Sequence, residues 1–345
     1  MEAMIGCFGE VMLRFSPEPD NMMTIQSDLF RALPGGSESN VAIALSRLGH
    51  DTEMLTALPQ NTFGTKIIQC LKQHGVGTGK ICFLDGGRLG LYFTEKGSGR
   101  RPHRVLYDRK DSAFNFLTEL VSNLDTWLTG CEWLHLSGIS LATSRRAADF
   151  AIELVNHAQD RGIPISLDIN HRTRLWQWCR DSQERGKYLS RIIAGTTVLV
   201  GNETDIQVGV LDDPAVHLDE AVDTVQELSK GGPLTWICVS QRESESADVN
   251  RFGGLLFDVG NRERSPIPIR SEVHTISHVV DRIGTGDAFC AAVLDEFIRK
   301  QDPGLTIEKA AMLGTLMHGV RGDACVLDHE LLEICLADGS GTIRR

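Results

Sequence analysis

Residues 284 to 287 read Gly-Thr-Gly-Asp inside the stretch VVDRIGTGDAFCAAVLDEFI, Val279 to Ile298. A β-type run, a Gly-rich turn and a helix-forming segment follow one another there. Gly284 and Gly286, on either side of Thr285, let the backbone turn sharply. The unpaired N–H groups of the helix's first turn are then aimed outward, where phosphate is favoured. Asp287 stands in the same turn. A carboxylate beside an anion hole can accept a proton from a hydroxyl while the hole takes the charge of a phosphoryl group in transfer. That pairing points to a kinase. The plainer alternative is a carboxylate that does no more than favour the helix dipole. The motif is neither a Walker A loop, which needs GxxxxGK[ST], nor a dinucleotide GxGxxG, because no third Gly stands near Cys290.

A second candidate lies at residues 34 to 49, PGGSESNVAIALSRLG, where two glycines and short polar residues precede an amphipathic helix. Gly35 and Gly36 permit close backbone approach to a ligand, and Asn40 offers a donor and an acceptor to sugar hydroxyls. In the alternative, Ser37 caps the helix and the glycines merely form the turn.

These motifs need a scaffold. Apolar runs alternate with helical patterns through most of the chain, which predicts βαβ units on a mainly parallel sheet. A helix over 38 to 48 sets Val41, Leu45 and Leu48 on one stripe and stops at Gly49, a residue suited to the left-handed C′ position. TEMLTAL follows as a strand. CEWLHLSGI, the helical SRRAADFAIELVNHAQDRG, IPISLDIN, AGTTVLVGN, a helix from Leu218 to Lys230 and LTWICVS continue the pattern, and a helical tail ends it. Two stretches interrupt it, about 10 to 34 and 88 to 110. They read as short strands and hairpins, the second turning at Gly97 and Gly99. Two β excursions from one α/β body can pair into a small sheet placed to cover a pocket, a lid. Its exposed edges make a homodimer an expectation. No repeat and no linker divides the 345 residues, so one domain over 1 to 345 with this lid is expected.

Composition narrows the chemistry further. Lys+Arg 35 against Asp+Glu 46 gives a net charge of −11, so nucleic acid and anionic membranes are poor partners. Nine Cys are scattered without a CxxC pair, which fits reduced thiols better than disulfides or structural zinc. The start MEAMIGCFGE carries an acid where a signal peptide needs basic residues, and no apolar run approaches the ~18 to 20 residues of a membrane span. A cytoplasmic location is expected. His274 and His278 stand four apart, but VHTISHVV alternates like a strand, which argues against a helical metal pair.

Taken together, Gly-Gly-x-x-x-Asn entering an early helix and Asp-x-x-Gly-x-Gly-Asp-Ala-Phe entering a late one resemble the two signature regions of the ribokinase-like (PfkB) carbohydrate kinases. The likeness spans nearly the whole chain: GEVMLRFSP, GLYFTEKG, VLYDRKDSA, SLDINHRTRLW, GNETD and GVRGDACVLDHELLE. Within the family these segments look most like the branch acting on 2-keto-3-deoxygluconate. The resemblance implies a three-layer α/β/α body with a mainly parallel sheet and a small β lid, ATP as donor, Mg²⁺, and transfer to a primary hydroxyl at the sugar's 6-position.

It also implies roles. Asp287 would be the base, with Gly284, Thr285 and Gly286 around the phosphoryl group. Arg109 in YDRKDSA and Arg172 in DINHRTRLW match substrate positions, and their planar forks suit a sugar carboxylate, although an Arg after a strand end is commonly a solvated charge. Tyr92 and Tyr107 match as well, with hydroxyls that could reach the sugar or merely face solvent. VGNETD resembles the family's Asn-x-x-Glu segment, so Asn202 and Asp205 would order Mg²⁺ through water, or Asn202 would simply cap a helix.

The chain departs from the family at Thr285, where Ala is usual, and at residues 239 to 257, VSQRESESADVNRFGGLLF, where most relatives have a short Gly-containing turn. Ser240 and Arg242 are the candidate nucleotide contacts there. Alternatives are a sister kinase of a neutral sugar such as fructose or ribose, of 5-dehydro-2-deoxygluconate or of a nucleoside, and a sugar sensor without catalysis.

Overall fold

A computed structural model of the protein describes residues 4–20, 22–260 and 266–337. The short aliphatic runs form one ten-stranded sheet. Its parallel strands are Met4–Phe8 (β1), Thr52–Pro59 (β4), Ile81–Leu84 (β5), Cys131–Ser137 (β8), Ile165–Asp168 (β9), Val198–Asn202 (β10) and Trp236–Ser244 (β11). Asn250–Asp258 (β12) runs antiparallel to β11, and Ile269–Arg270 (β13) and His274–Ile276 (β14) pair antiparallel to β12. The order across the sheet is β13, β12, β11, β10, β9, β8, β1, β4, β5. The chain therefore reverses its direction of travel at β1.

Strand side chains alternate between two buried faces, the requirement for a parallel sheet covered on both sides. Ile5, Cys7, Met54, Val198, Val200 and Cys238 join Val41, Leu45, Ala291, Leu294, Ile307 and Leu313 of the helices Ser37–Arg47, Thr285–Ile298 and Pro303–Met317. Phe8, Leu55, Leu199, Ile237 and Val239 meet Ala151, Val155, Leu189, Ile192, Val222 and Val225 of the helices Arg145–Asp160, Ser182–Ala194 and Leu218–Leu228. This is the expected α/β/α layering. Val41, Leu45 and Leu48 are buried as the stripe predicts, and Gly49 takes φ +98° just past the helix end. No helix among the described residues is long and apolar enough to cross a membrane.

The two excursions meet in a separate four-stranded sheet. Met12–Pro17 (β2) lies between Phe30–Gly35 (β3) and Gly90–Glu95 (β6), and Arg104–Asp108 (β7) closes the order β3, β2, β6, β7. All pairs are antiparallel except β2 with β6. Along β6 the burial alternates, with Tyr92 and Thr94 on the buried face. The β6–β7 connection turns at Ser98–Arg101, where Gly99 has φ +54°.

Two expectations need correction. Val279 to Ile283, read as a strand before the Gly turn, is irregular. Its apolar residues lie in a loop whose amides find acceptors outside any ladder: Val279 N donates to the Asp248 carbonyl, and Val280 N and Asp281 N donate to the His318 carbonyl. Ser37 is not the cap of its helix either. Gly36 occupies that position, and Ser37, the first helical residue, turns its hydroxyl elsewhere. Residues 239 to 257 form the long β11–β12 hairpin, in which Arg242 faces Phe252.

Candidate active site

The carboxyl ends of β1 and β8 to β11, next to the reversal at β1, open into a cavity of about 800 Å³. This is where open α/β sheets place ligands. Its walls include Gly36, Asn40, Asp168, Asn170, Asn202 and Ser240 from the body and Arg14, Tyr92 and Tyr107 from the small sheet. Gly284 to Asp287 lie on it too.

Asp287 is buried in the first turn of the Thr285–Ile298 helix. Its two oxygens accept hydrogen bonds from Ser37 Oγ at 2.8 Å and Asn40 Nδ2 at 2.7 Å. Asn170 Nδ2 in turn donates to Ser37 Oγ at 3.0 Å. The early and late motifs are thus joined through one carboxylate. Burial raises the Asp287 pKa to about 6, against the pull of the Asn40 and Ser37 bonds. The helix ladder starts with Ala288 N donating to the Gly284 carbonyl, so the amides of Thr285, Gly286 and Asp287 are not consumed by the helix. Asp168, buried nearby, is held well above the usual carboxylate range by burial and by the charges of Asp287 and Asp205.

The two site glycines differ in what surrounds them. A Cβ on Gly36 would run into the Glu10 carbonyl, whereas the corresponding point on Gly286 has no protein atom within 4 Å. We therefore expect Gly36→Ala to lose about 2 kcal/mol of stability. Gly286→Ala should fold as well as the native chain or better by up to about 1 kcal/mol, Ala being the better helix former, yet its methyl fills the space before the amides. Its turnover should fall at least about tenfold, roughly the effect of losing one transition-state contact of 1.4 kcal/mol. Urea denaturation beside initial rates separates the two effects; a fully active Gly286→Ala would place the phosphoryl group elsewhere.

The arginines divide into paired and unpaired. Arg109 is buried and its fork is taken by Glu10, Nε at 2.8 Å and Nη2 at 2.5 Å from Glu10 Oε2. Arg172 is half-exposed, with Nη1 at 3.2 Å from Asp205 Oδ2 and donating to the His171 carbonyl. Arg242 lies over the Phe252 ring, 5.6 Å from its centroid, and donates to Thr285 Oγ1 at 2.5 Å. Desolvation, then repulsion from Arg282 and Arg172, lowers Arg242 to about 10. Among the described residues neither Arg242 nor Arg282 has a carboxylate within ion-pair distance. Two unmatched guanidinium groups therefore flank the turn of a chain whose net charge is −11.

Tyr92 and Tyr107 stack with ring centroids 6.0 Å apart, but the buried Tyr92 hydroxyl donates to Asp323 rather than into the open cavity. Asn202 caps the Glu203–Leu211 helix through its bond from Asp205 N at 2.8 Å, and its Nδ2 donates to Asp205 Oδ2 at 2.6 Å. Among the described residues no three His, Cys, Asp or Glu side chains converge as a metal site. The Asp205 carboxylate and Asn202 amide are too few donors to enclose Mg²⁺. They suit the water shell of an ion carried in by phosphates.

Fold, cavity and turn define a sugar kinase, and the comparison with known proteins agrees: residues 2–324 match the pfkB family carbohydrate kinase model, so the chain belongs to that family. It is 31% identical to the 2-dehydro-3-deoxygalactonokinase of Haloferax volcanii over 100% of both chains. The structure of 2-dehydro-3-deoxygluconokinase from Thermotoga maritima superposes with a TM-score of 0.86 at 33% identity, covering 97% of this chain and 100% of that one. A PfkB family carbohydrate kinase from Listeria grayi gives 0.87 at 27% identity, with the same coverage.

Of the residues singled out in the sequence, the structure brings Gly36, Asn40, Tyr92, Tyr107, Arg109, Arg172, Asn202, Asp205, Ser240, Arg242 and the run Gly284 to Asp287 to one cavity, while Gly35 is not on its walls. The sequence reading passed over Glu10, Arg14, Glu38, Asp168, Asp281, Arg282 and Asp323, all on the same walls. Glu38 is buried, bonded by Ser140 Oγ at 2.5 Å and by Ser137 N at 3.1 Å, and burial lifts it to about 7. The signal for Arg14 was present, a charge inside the otherwise apolar MLRF strand.

Proposed function

We propose that this carbohydrate kinase transfers the γ-phosphoryl group of ATP to the 6-hydroxyl of 2-keto-3-deoxygluconate. Asp287 accepts the hydroxyl proton as the oxygen attacks phosphorus and the bond to ADP breaks, giving ADP and 2-keto-3-deoxy-6-phosphogluconate. The amides of Thr285, Gly286 and Asp287 hold the phosphoryl oxygens, Arg242 and Arg282 hold the nucleotide phosphates, and Ser240 and Asn202 line the nucleotide's path. Mg²⁺ would supply charge neutralisation on those phosphates when bound, and Asp205 and Asn202 would be the residues to hold it through water. Arg172, with Tyr107, Gly35 and Gly36 nearby, faces the sugar acid. The small sheet acts as the lid. Its exposed Phe30 and Leu106, with Leu29 just before β3, would be covered where two lids meet in a homodimer.

The observation that carries this reading is the buried carboxylate of Asp287 beside unconsumed amides and two unmatched arginines. The test is ADP release from ATP and Mg²⁺ with a panel of 2-keto-3-deoxygluconate, 2-keto-3-deoxygalactonate, fructose, ribose and a nucleoside, with the phosphorylated carbon located by NMR. Preference for a neutral sugar would overturn it. A second reading, the galactonate-derived acid as the better substrate, is favoured by the full-length likeness to the Haloferax volcanii protein.

Proton acceptance also sets a pH dependence. With Asp287 raised to about 6, kcat/KM should rise with pH through about 6 and fall close to tenfold per unit below it. A profile that stays flat down to about pH 4.5, near the ordinary carboxylate value, would remove Asp287 as the base.

A further inference from the structure

We propose that Arg14 is a positioning residue for the phosphoryl-holding turn: from the small sheet it fixes two carboxylates, Asp281 and Asp323, that set the backbone around Gly284. The inference rests on the assignment of that turn to the phosphoryl group.

Arg14 is buried on β2, and every nitrogen of its guanidinium is occupied. Nη2 lies 2.7 Å from Asp281 Oδ2 and Nη1 lies 2.6 Å from Asp323 Oδ1. Nε donates to Thr94 Oγ1 at 2.9 Å and to Ser16 Oγ at 3.0 Å. One side chain therefore ties two strands of the small sheet to two loops of the body.

Both carboxylates reach the turn. Asp281 is the first residue of the Asp-x-x-Gly-x-Gly-Asp motif, for which a role as base leaves no task. Its Oδ1 accepts the Ile283 amide at 3.2 Å, and its Oδ2 accepts the Gly322 amide at 3.3 Å. Asp323 accepts the Tyr92 hydroxyl on its second oxygen. The Asp323 carbonyl lies against Gly284, where a Cβ would overlap it, and Gly284 takes the left-handed φ of +83°. Asp281 thus pins the turn from its leading side and Asp323 from its flank, with Arg14 between them.

Removing the guanidinium would leave two buried carboxylates facing each other, and one must move or take a proton. Small displacements matter here, since misplacement by ~1 Å can cost ~10²-fold in rate. Lysine keeps the charge but cannot span two carboxylates, because it lacks the planar fork. The defect should therefore appear in turnover rather than in ground-state binding. A residue that gripped the sugar directly would show the opposite split.

The experiment compares Arg14→Lys and Arg14→Met with the native full-length protein, with ATP, Mg²⁺ and the best acceptor of the panel. Arg14→Lys should keep the native circular dichroism, with a melting temperature lowered by the one carboxylate it leaves without a partner. Its kcat should fall about 10- to 100-fold, while KM for ATP and for the sugar changes less than about threefold. Arg14→Met should fall further and regain part of its kcat with methylguanidinium but not with methylammonium. Native kcat in Arg14→Lys would overturn the proposal. So would a raised sugar KM at native kcat, which would make Arg14 a substrate contact. A kcat loss in Arg14→Met that methylguanidinium does not restore in the folded protein would make it a purely structural residue. Native turnover in Asp287→Asn would instead remove the assignment of the turn, and that variant is measured in parallel.

Discussion

Asp287→Asn should lower kcat by about 10³-fold, within the 10²- to 10⁴-fold range of a lost general base, while calorimetric titration shows the sugar still binding. The amide keeps the size of the carboxylate and can remain beside Ser37 Oγ and Asn40 Nδ2, which lie 2.8 and 2.7 Å from it in the native chain. What it cannot do is accept a proton. The same substitution carries a stability consequence of the opposite sign. The folded-state pKa of about 6 lies above the unfolded value near 3.8, so folding disfavours the ionised form. That cost is absent below about pH 4, grows as pH rises and is complete above about pH 6, where it reaches about 3 kcal/mol. Asp287→Asn should therefore melt higher than the native protein at pH 7 and lose that advantage at pH 4. Turnover within tenfold of native would reject the role of base.

The second large effect separates two arginines that look alike in sequence. Arg109→Met should cost about 3 to 5 kcal/mol, the consequence of breaking a buried ion pair and leaving Glu10 without its partner. Arg172→Met should cost less, about 1 kcal/mol, because its side chain is 41% exposed and Asp205 keeps the bond from Asn202 Nδ2. Its loss should be felt by the substrate, with KM for the sugar acid raised about 10- to 100-fold, the 1.4 to 2.8 kcal/mol of a charge-assisted contact. KM for a neutral sugar phosphorylated by the same enzyme should stay the same. Urea denaturation and paired KM measurements decide both. A stable Arg109→Met, or equal KM changes for acid and neutral sugars in Arg172→Met, would contradict this division.

Legibility in the sequence followed the range of the interaction. Strand alternation, the Val41, Leu45 and Leu48 stripe and the glycine turns are local consequences of side-chain period and backbone freedom, and the structure carries them where they were read. The joining of Asn40 to Asp287 was not legible: the sequence offered the Asn40 amide to sugar hydroxyls, and only the fold brings it to 2.7 Å from a carboxylate 247 residues away. Val279 to Ile283 misled because an apolar run records burial but not whether its amides meet a strand or the His318 and Asp248 carbonyls. Ser37 misled for a related reason: a hydroxyl able to cap its own helix is equally able to donate to a carboxylate from a distant one. Arg14, Asp281 and Asp323 were unreadable as a set. Each comes from a different segment, and nothing local marks a charge as the partner of another that folding brings to 2.7 Å. Arg109 shows the limit from the other side, a residue matched by type whose fork the fold had already filled with Glu10.

The most direct test of the central claim is a crystal structure with an unreactive ATP analogue, Mg²⁺ and 2-keto-3-deoxygluconate, read for one distance, that from Asp287 to the acceptor hydroxyl. The account predicts about 2.6 to 3.2 Å, with the terminal phosphate on the amides of Thr285, Gly286 and Asp287. A hydroxyl beyond hydrogen-bond reach of Asp287, with another base beside it, would contradict the account.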